Sequence, residues 1–146
     1  MNIRRVFTVI ATFVTFMTAI TAGAGTAAAE ADLPECQTAP WRSQVVQQWR
    51  TGSWGYLYRL VWCVERSTIT WAVPEIVPVL PDDSDCTWDG TTEQNLGPVG
   101  NSNSWAGFSM GLFSCPDGDQ SVADYPWGII LIHPDGTSEI SGQGTA

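Results

Sequence analysis

Tryptophan, aspartate, cysteine and one histidine are the side chains whose types and spacing could do chemistry in this 146-residue sequence. All eight tryptophans follow Ala29. Trp54, Trp88 and Trp105 each sit beside Gly, Asp, Ser or Asn where an apolar run begins or ends, so each is expected at a loop or strand end with a ring face open. An indole so placed stacks on an apolar ligand face while nearby amides and carboxylates bond its polar groups. Trp62, Trp71 and Trp127 fall inside alternating apolar runs and are expected in the core.

The acids gather around two cysteines. Asp82, Asp83, Asp85 and Asp89 flank Cys86, and Asp117 and Asp119 follow Cys115. Oxygen ligands of this kind suit calcium. Neither run has the glycine and terminal glutamate of an EF-hand loop, so solvated turn acids are expected and no cofactor is assigned. Two such carboxylates could act as acid and base in glycoside hydrolysis only at a separation of about 5 to 10 Å across a cleft, and a small domain has little room for one. His133, before Pro134, is expected to be a solvated turn residue, because no Gly-x-Ser-x-Gly context supports a triad. As the only histidine, it excludes any site needing two imidazoles on one chain. No catalytic or metal-ligating residue is assigned.

Cys36, Cys63, Cys86 and Cys115 are even in number, with no Cys-x-x-Cys pair that would point to zinc or redox chemistry. Two disulfides are expected. Of the three connectivities, Cys36 with Cys63 and Cys86 with Cys115 is preferred, since these close loops of similar size. The compartment agrees. Arg4 and Arg5 precede an apolar run from Val6 to Ile20, and small residues lead to Ala27-Ala28-Ala29. This is the layout of a secretory signal peptide over residues 1–29, leaving one secreted domain over 30–146. As a helix the run would span about 22 Å, short of a bilayer core of roughly 30 Å, so no membrane span is expected after cleavage.

Six basic against fifteen acidic residues give a net charge of −9, which argues against nucleic acid as a partner, because phosphate binding requires Lys and Arg. The chain has no lysine and uses Ala, Gly and Arg freely. In that style it resembles exported proteins of GC-rich bacteria such as actinobacteria.

The elements that must position these side chains are mostly strands. Trp41, Val45, Val46 and Trp49, with polar residues between, predict one short amphipathic helix over Pro40–Arg50. Trp54 to Glu65 alternates with period two, and Ile69, Trp71 and Val73 continue it after Arg66-Ser67-Thr68, a hairpin. Pro74, Pro78 and Pro81 make the stretch from Glu75 to Leu80 an edge strand or an extended connection. Pro81 to Ser104 is polar and without period, and is expected to be a long loop. A strand follows from Trp105 to Cys115. His133-Pro134-Asp135-Gly136-Thr137 then joins two further runs as a hairpin, and Gly142 to Ala146 is expected to fray.

The expected fold is mainly β: a small disulfide-stapled antiparallel β-sandwich or partly open barrel, of four or five strands, with one short N-terminal helix. In small size, export, β-architecture and tryptophan-rich loops the chain resembles carbohydrate-binding modules. That resemblance implies a non-catalytic domain binding an extracellular glycan or cell-wall polymer through Trp54, Trp88 and Trp105. The alternatives are a protease inhibitor or other protein-binding factor, presenting the Pro81–Ser104 segment to a protein surface, and a carboxylate-dependent hydrolase.

Overall fold

β3 (Trp54–Glu65) follows the alternation of its residues: Trp54, Tyr56, Tyr58, Leu60 and Trp62 are buried on one face, while Leu57 and Arg59 between them are half-buried on the other. The computed structural model describes residues 33–146, so the expected leader lies outside the described residues. β3 anchors sheet A. β4 (Thr68–Val79) pairs along one edge of it, and β1 (Trp41–Arg42) and β2 (Val46–Arg50) pair in succession along the other, all antiparallel.

Sheet B is built around β6 (Trp105–Asp117). β5 (Thr87–Pro98) lies on one side of it, β7 (Gln120–Asp124) and β8 (Pro126–Ile132) follow one another on the other, and β9 (Ser138–Thr145) lies outside β8. The protein is thus mainly β, with two separate antiparallel sheets rather than one closed barrel.

Three expectations change. The helix expected over Pro40–Arg50 is β1 and β2, interrupted at Ser43–Val45. Ser43 explains the break without loss of pairing: its amide donates to the Leu60 carbonyl at 2.9 Å, and its hydroxyl accepts from the Leu60 amide at 2.9 Å. The apolar residues that resembled a helical stripe divide between faces, with Val46 sealed in the core and Trp49 turned out. Half of the loop expected over Pro81–Ser104 is β5, a twelve-residue edge strand whose side chains are largely exposed. Its polar composition conceals it, since it contributes only Trp88 and Leu96 to the interior. The C-terminal residues do not fray into a tail, because β9 runs to Thr145 and Ala146 exchanges backbone hydrogen bonds with Tyr125.

The sheets meet through a size complementarity. Sheet A sends in Trp54, Tyr56, Tyr58, Leu60 and Trp62, while the facing row of β6 is Gly107, Ser109, Gly111 and Phe113. A methyl group on Gly107 would sit 2.7 Å from the Tyr58 hydroxyl, and one on Gly111 would sit 2.3 Å from the Trp88 ring. Small residues here allow large rings to fill the core at interior density. Trp54 stacks on Phe113 with centroids 4.8 Å apart and planes 8° apart. The buried Tyr56 hydroxyl donates to Ser109 Oγ at 2.9 Å. Both disulfides form as expected, Cys36–Cys63 and Cys86–Cys115, tying the N-terminal arm to β3 and the start of β5 to β6.

Candidate functional site

The three indoles expected to face a ligand are oriented toward the interior. Trp54 is 2% exposed; its Nε1 donates at 2.7 Å to Asp124 Oδ2, which also receives Arg50 Nη1 at 2.7 Å. This is a correction: Trp54 is a core ring. Trp88 pairs in register with Phe113 and packs on Gly111 against Phe113 and Tyr56. Trp105 lies in the row Pro98–Trp105–Ile132 and packs on the core. Trp88 and Trp105 keep some exposure, but both pack against the core. Trp62 is buried as expected. Trp71 and Trp127 are half-buried on the outer faces of sheets A and B, not in the core between them.

The most exposed indoles are Trp49 at 56% and Trp41 at 47%. Neither is expected at a surface site from sequence, since an amphipathic helix over Pro40–Arg50 would turn both toward the core. Trp49 stands on the outer face of β2, opposite Gly55 of β3. Its ring lies on that glycine so closely that a methyl there would come 2.1 Å from Cζ3. One ring face is therefore seated and the other is left to solvent. Leu57, Arg59, Glu75 and Val77 lie on the same face and, with Val45 and Tyr58, line an open groove of about 210 Å³. Val77 is itself 45% exposed. Arg59 reaches across from β3 to β4, bonding Glu75 Oε2 through both Nε and Nη2. At this exposure the pair contributes about 0 to 1 kcal/mol; its stronger effect is to hold a charged fork in one geometry beside an apolar groove.

The polar constellations assemble differently from a catalytic site. Ser104 Oγ lies 2.7 Å from His133 Nδ1. The contact joins the β5–β6 connection to the β8–β9 turn, where the His133 carbonyl also accepts from Trp62 Nε1 at 3.2 Å. Asp135 does not orient that ring. The Thr137 hydroxyl and amide hold its carboxylate, and these bonds keep its pKa below the ordinary carboxylate value. Serine on Nδ1, with no carboxylate among the described residues bonded to the imidazole, is a structural tie and not the geometry of a nucleophile and its base.

The acids near Cys86 spread out. Asp83 and Asp85 border a polar hollow of about 160 Å³ beside the disulfide, with Arg50 on its rim, whereas Asp89 holds Ser114 and Thr87. Among the described residues, the three-ligand group that forms is Cys36, Cys63 and Glu65, in which both sulfurs are already in a disulfide. That leaves one carboxylate, too few donors for a calcium or zinc site.

No family model, curated protein or solved structure matches this chain.

The signal for Trp49 was present in the sequence in weak form. Gln47, Gln48, Arg50 and Thr51 surround it with polar residues, as the loop tryptophans are surrounded. Its seat on Gly55 is a register relation between strands, which composition does not reveal.

Proposed function

We propose that this chain is a secreted, non-catalytic binding domain that takes an extracellular glycan or cell-wall polymer on the outer face of sheet A, with Trp49 as the stacking platform. The observation that carries this reading is the seating of Trp49 on Gly55 with its other face open. A ring held flat before the ligand arrives gives up little rotamer entropy on binding. The C–H face of a pyranose can cover it, as an apolar surface covers an interfacial tryptophan. Gln47 on the same face and the Arg59–Glu75 fork supply hydrogen-bonding groups around that platform. The groove is open rather than enclosed, which suits holding a polymer and does not provide a water-excluded site for chemistry.

The inhibitor alternative relied on a constrained loop over Pro81–Ser104, and β5 occupies the middle half of that stretch. Export is supported by the Met1–Ala29 pattern and by two disulfides that persist in oxidising compartments.

The test is retention of the purified protein on insoluble polysaccharides, including cellulose, chitin, xylan and peptidoglycan. The native protein is expected to be retained by at least one of them. Trp49→Ala and Gly55→Ala should each lower affinity by about tenfold or more, the loss typical of removing or displacing a central aromatic anchor. Trp41→Ala should leave binding intact. Failure of the native protein to bind any polymer in the panel, or equal binding by Trp49→Ala, ends the proposal.

A further inference from the structure

The charges of this protein are divided between its sheets. Ten of the fifteen acidic residues and none of the six basic ones lie after Leu80, the part of the chain that forms sheet B and its connections. Arg42, Arg50 and Arg59 lie on β1, β2 and β3, and Arg66 lies in the β3–β4 turn. Among the described residues the ion pairs are Arg50–Asp124 and Arg59–Glu75, so Asp124 is the one sheet B carboxylate neutralised in this way.

The outer face of sheet B is also apolar. The registers place three rows on it: Glu93–Met110–Trp127–Gly144, Asn95–Phe108–Ile129–Gly142 and Gly97–Ala106–Leu131–Glu139. Phe108 and Trp127 meet on this face with centroids 6.5 Å apart. The Trp127 ring lies over Gly142 and Gly144 of β9, within 3.2 Å of where a methyl on either would sit. The central strands thus carry an apolar stripe, with a carboxylate at each of two opposite corners and no cation on the sheet.

We infer that this face docks a cationic amphipathic helix presented by another protein. From Trp127 to Leu131 the stripe runs about 14 Å at strand rise, which matches about nine residues of helix. A helix laid along it would set its apolar side on Phe108, Met110, Trp127 and Ile129 and bring Lys or Arg to Glu93 and Glu139. Charge selects this occupant. A second copy of this chain carries net −9 and would set carboxylate against carboxylate if it met the face with its own sheet B, and an anionic lipid surface is repelled for the same reason.

The measurement is fluorescence anisotropy of a labelled 14-residue Leu/Lys peptide of helical amphipathic pattern, titrated with the disulfide-bonded protein. A scrambled peptide of the same composition and a Leu/Glu analogue serve as controls. Saturable binding of the patterned peptide alone is expected. Ile129→Ser should weaken it about tenfold at all salt concentrations, by opening the centre of the contact. Glu93→Gln with Glu139→Gln should weaken it about three- to tenfold at low salt, with the difference vanishing near 1 M salt, where the Debye length is about 3 Å. Trp49→Ala should bind normally, which separates this face from the glycan platform. Equal binding of the scrambled peptide, insensitivity to both sets of substitutions, displacement of the peptide by polysaccharide, or a dimer by sedimentation that Ile129→Ser dissociates would each overturn the inference.

Discussion

Glycine under indole is the recurring device at the scale of single residues, and its consequence depends on whether the ring can move away. Trp88 lies on Gly111 with Tyr56 and Phe113 around it, and Trp49 lies on Gly55 with solvent above. A Cβ at position 111 must therefore displace a ring that is packed against Tyr56 and Phe113. Gly111→Ala is expected to destabilise by about 1 to 3 kcal/mol, the range for overpacking a filled core. Gly55→Ala pushes an exposed ring outward, at a cost of less than about 1 kcal/mol. Chemical denaturation of the two variants checks this: similar losses would mean that Trp49 is as confined as Trp88. The same contrast makes Gly55→Ala useful in the glycan experiment, since it removes the platform without removing the fold. Ser109 belongs with these residues. It is the hydrogen-bond acceptor for the buried Tyr56 hydroxyl, so Ser109→Ala should cost about 1 to 3 kcal/mol by leaving that group unsatisfied. In a double mutant with Tyr56→Phe, much of that loss should be recovered.

At the scale of elements, legibility in the sequence tracked how much of a strand is buried. β3, β6 and the β8–β9 hairpin alternate against a core, so their period survives in composition, and the Pro-Asp-Gly turn marked the hairpin. β5 lies at the edge of sheet B and has little apolar alternation, so it resembled a loop. The span Pro40–Arg50 misled for another reason: four apolar residues fit a helical spacing by coincidence while facing different sides of a strand pair. The platform was missed with it, because Trp49 was assigned to that stripe. The β3–β4 turn carries its own prediction. Arg66 and Ser67 join Glu65 to Thr68 as a two-residue turn with φ of 50° and 61°, a conformation that Asn-Gly adopts with less strain. Replacing both by Asn-Gly is expected to stabilise the protein by about 1 kcal/mol in thermal or chemical unfolding; destabilisation would show that the Arg66 or Ser67 side chain contributes more than the strain removes. The disulfides close spans of 27 and 29 residues. Replacing either pair by serines should therefore cost about 3 to 4 kcal/mol on the chain-entropy account, read as a lower denaturant midpoint.

For the molecule as a whole, acidity and the tyrosine core make alkaline pH the informative variable. Burial raises the Tyr56 pKa above its ordinary value, opposed in part by the Ser109 hydrogen bond, and burial followed by the neighbouring Tyr56 raises Tyr58 further. In both cases the folded state holds the proton more tightly than the unfolded chain does. The resulting stability is fully present below the unfolded tyrosine pKa of about 10 and declines as pH rises past it toward the folded values. Deprotonation would also place a phenolate between the two sheets, beside Ser109 and Gly107. The free energy of unfolding should thus change little between pH 7 and 9 for these groups and fall steeply above about pH 10. Tyrosinate absorbance from Tyr56 and Tyr58 should appear together with the loss of far-ultraviolet β signal rather than before it. In Tyr58→Phe the steep fall should become shallower, because one of the two linked protons is gone. If all tyrosines ionise near pH 10 while the β signal persists, the space between the sheets admits water, and the packing of Tyr56 and Tyr58 against β6 is looser than the Gly107–Ser109–Gly111 row implies.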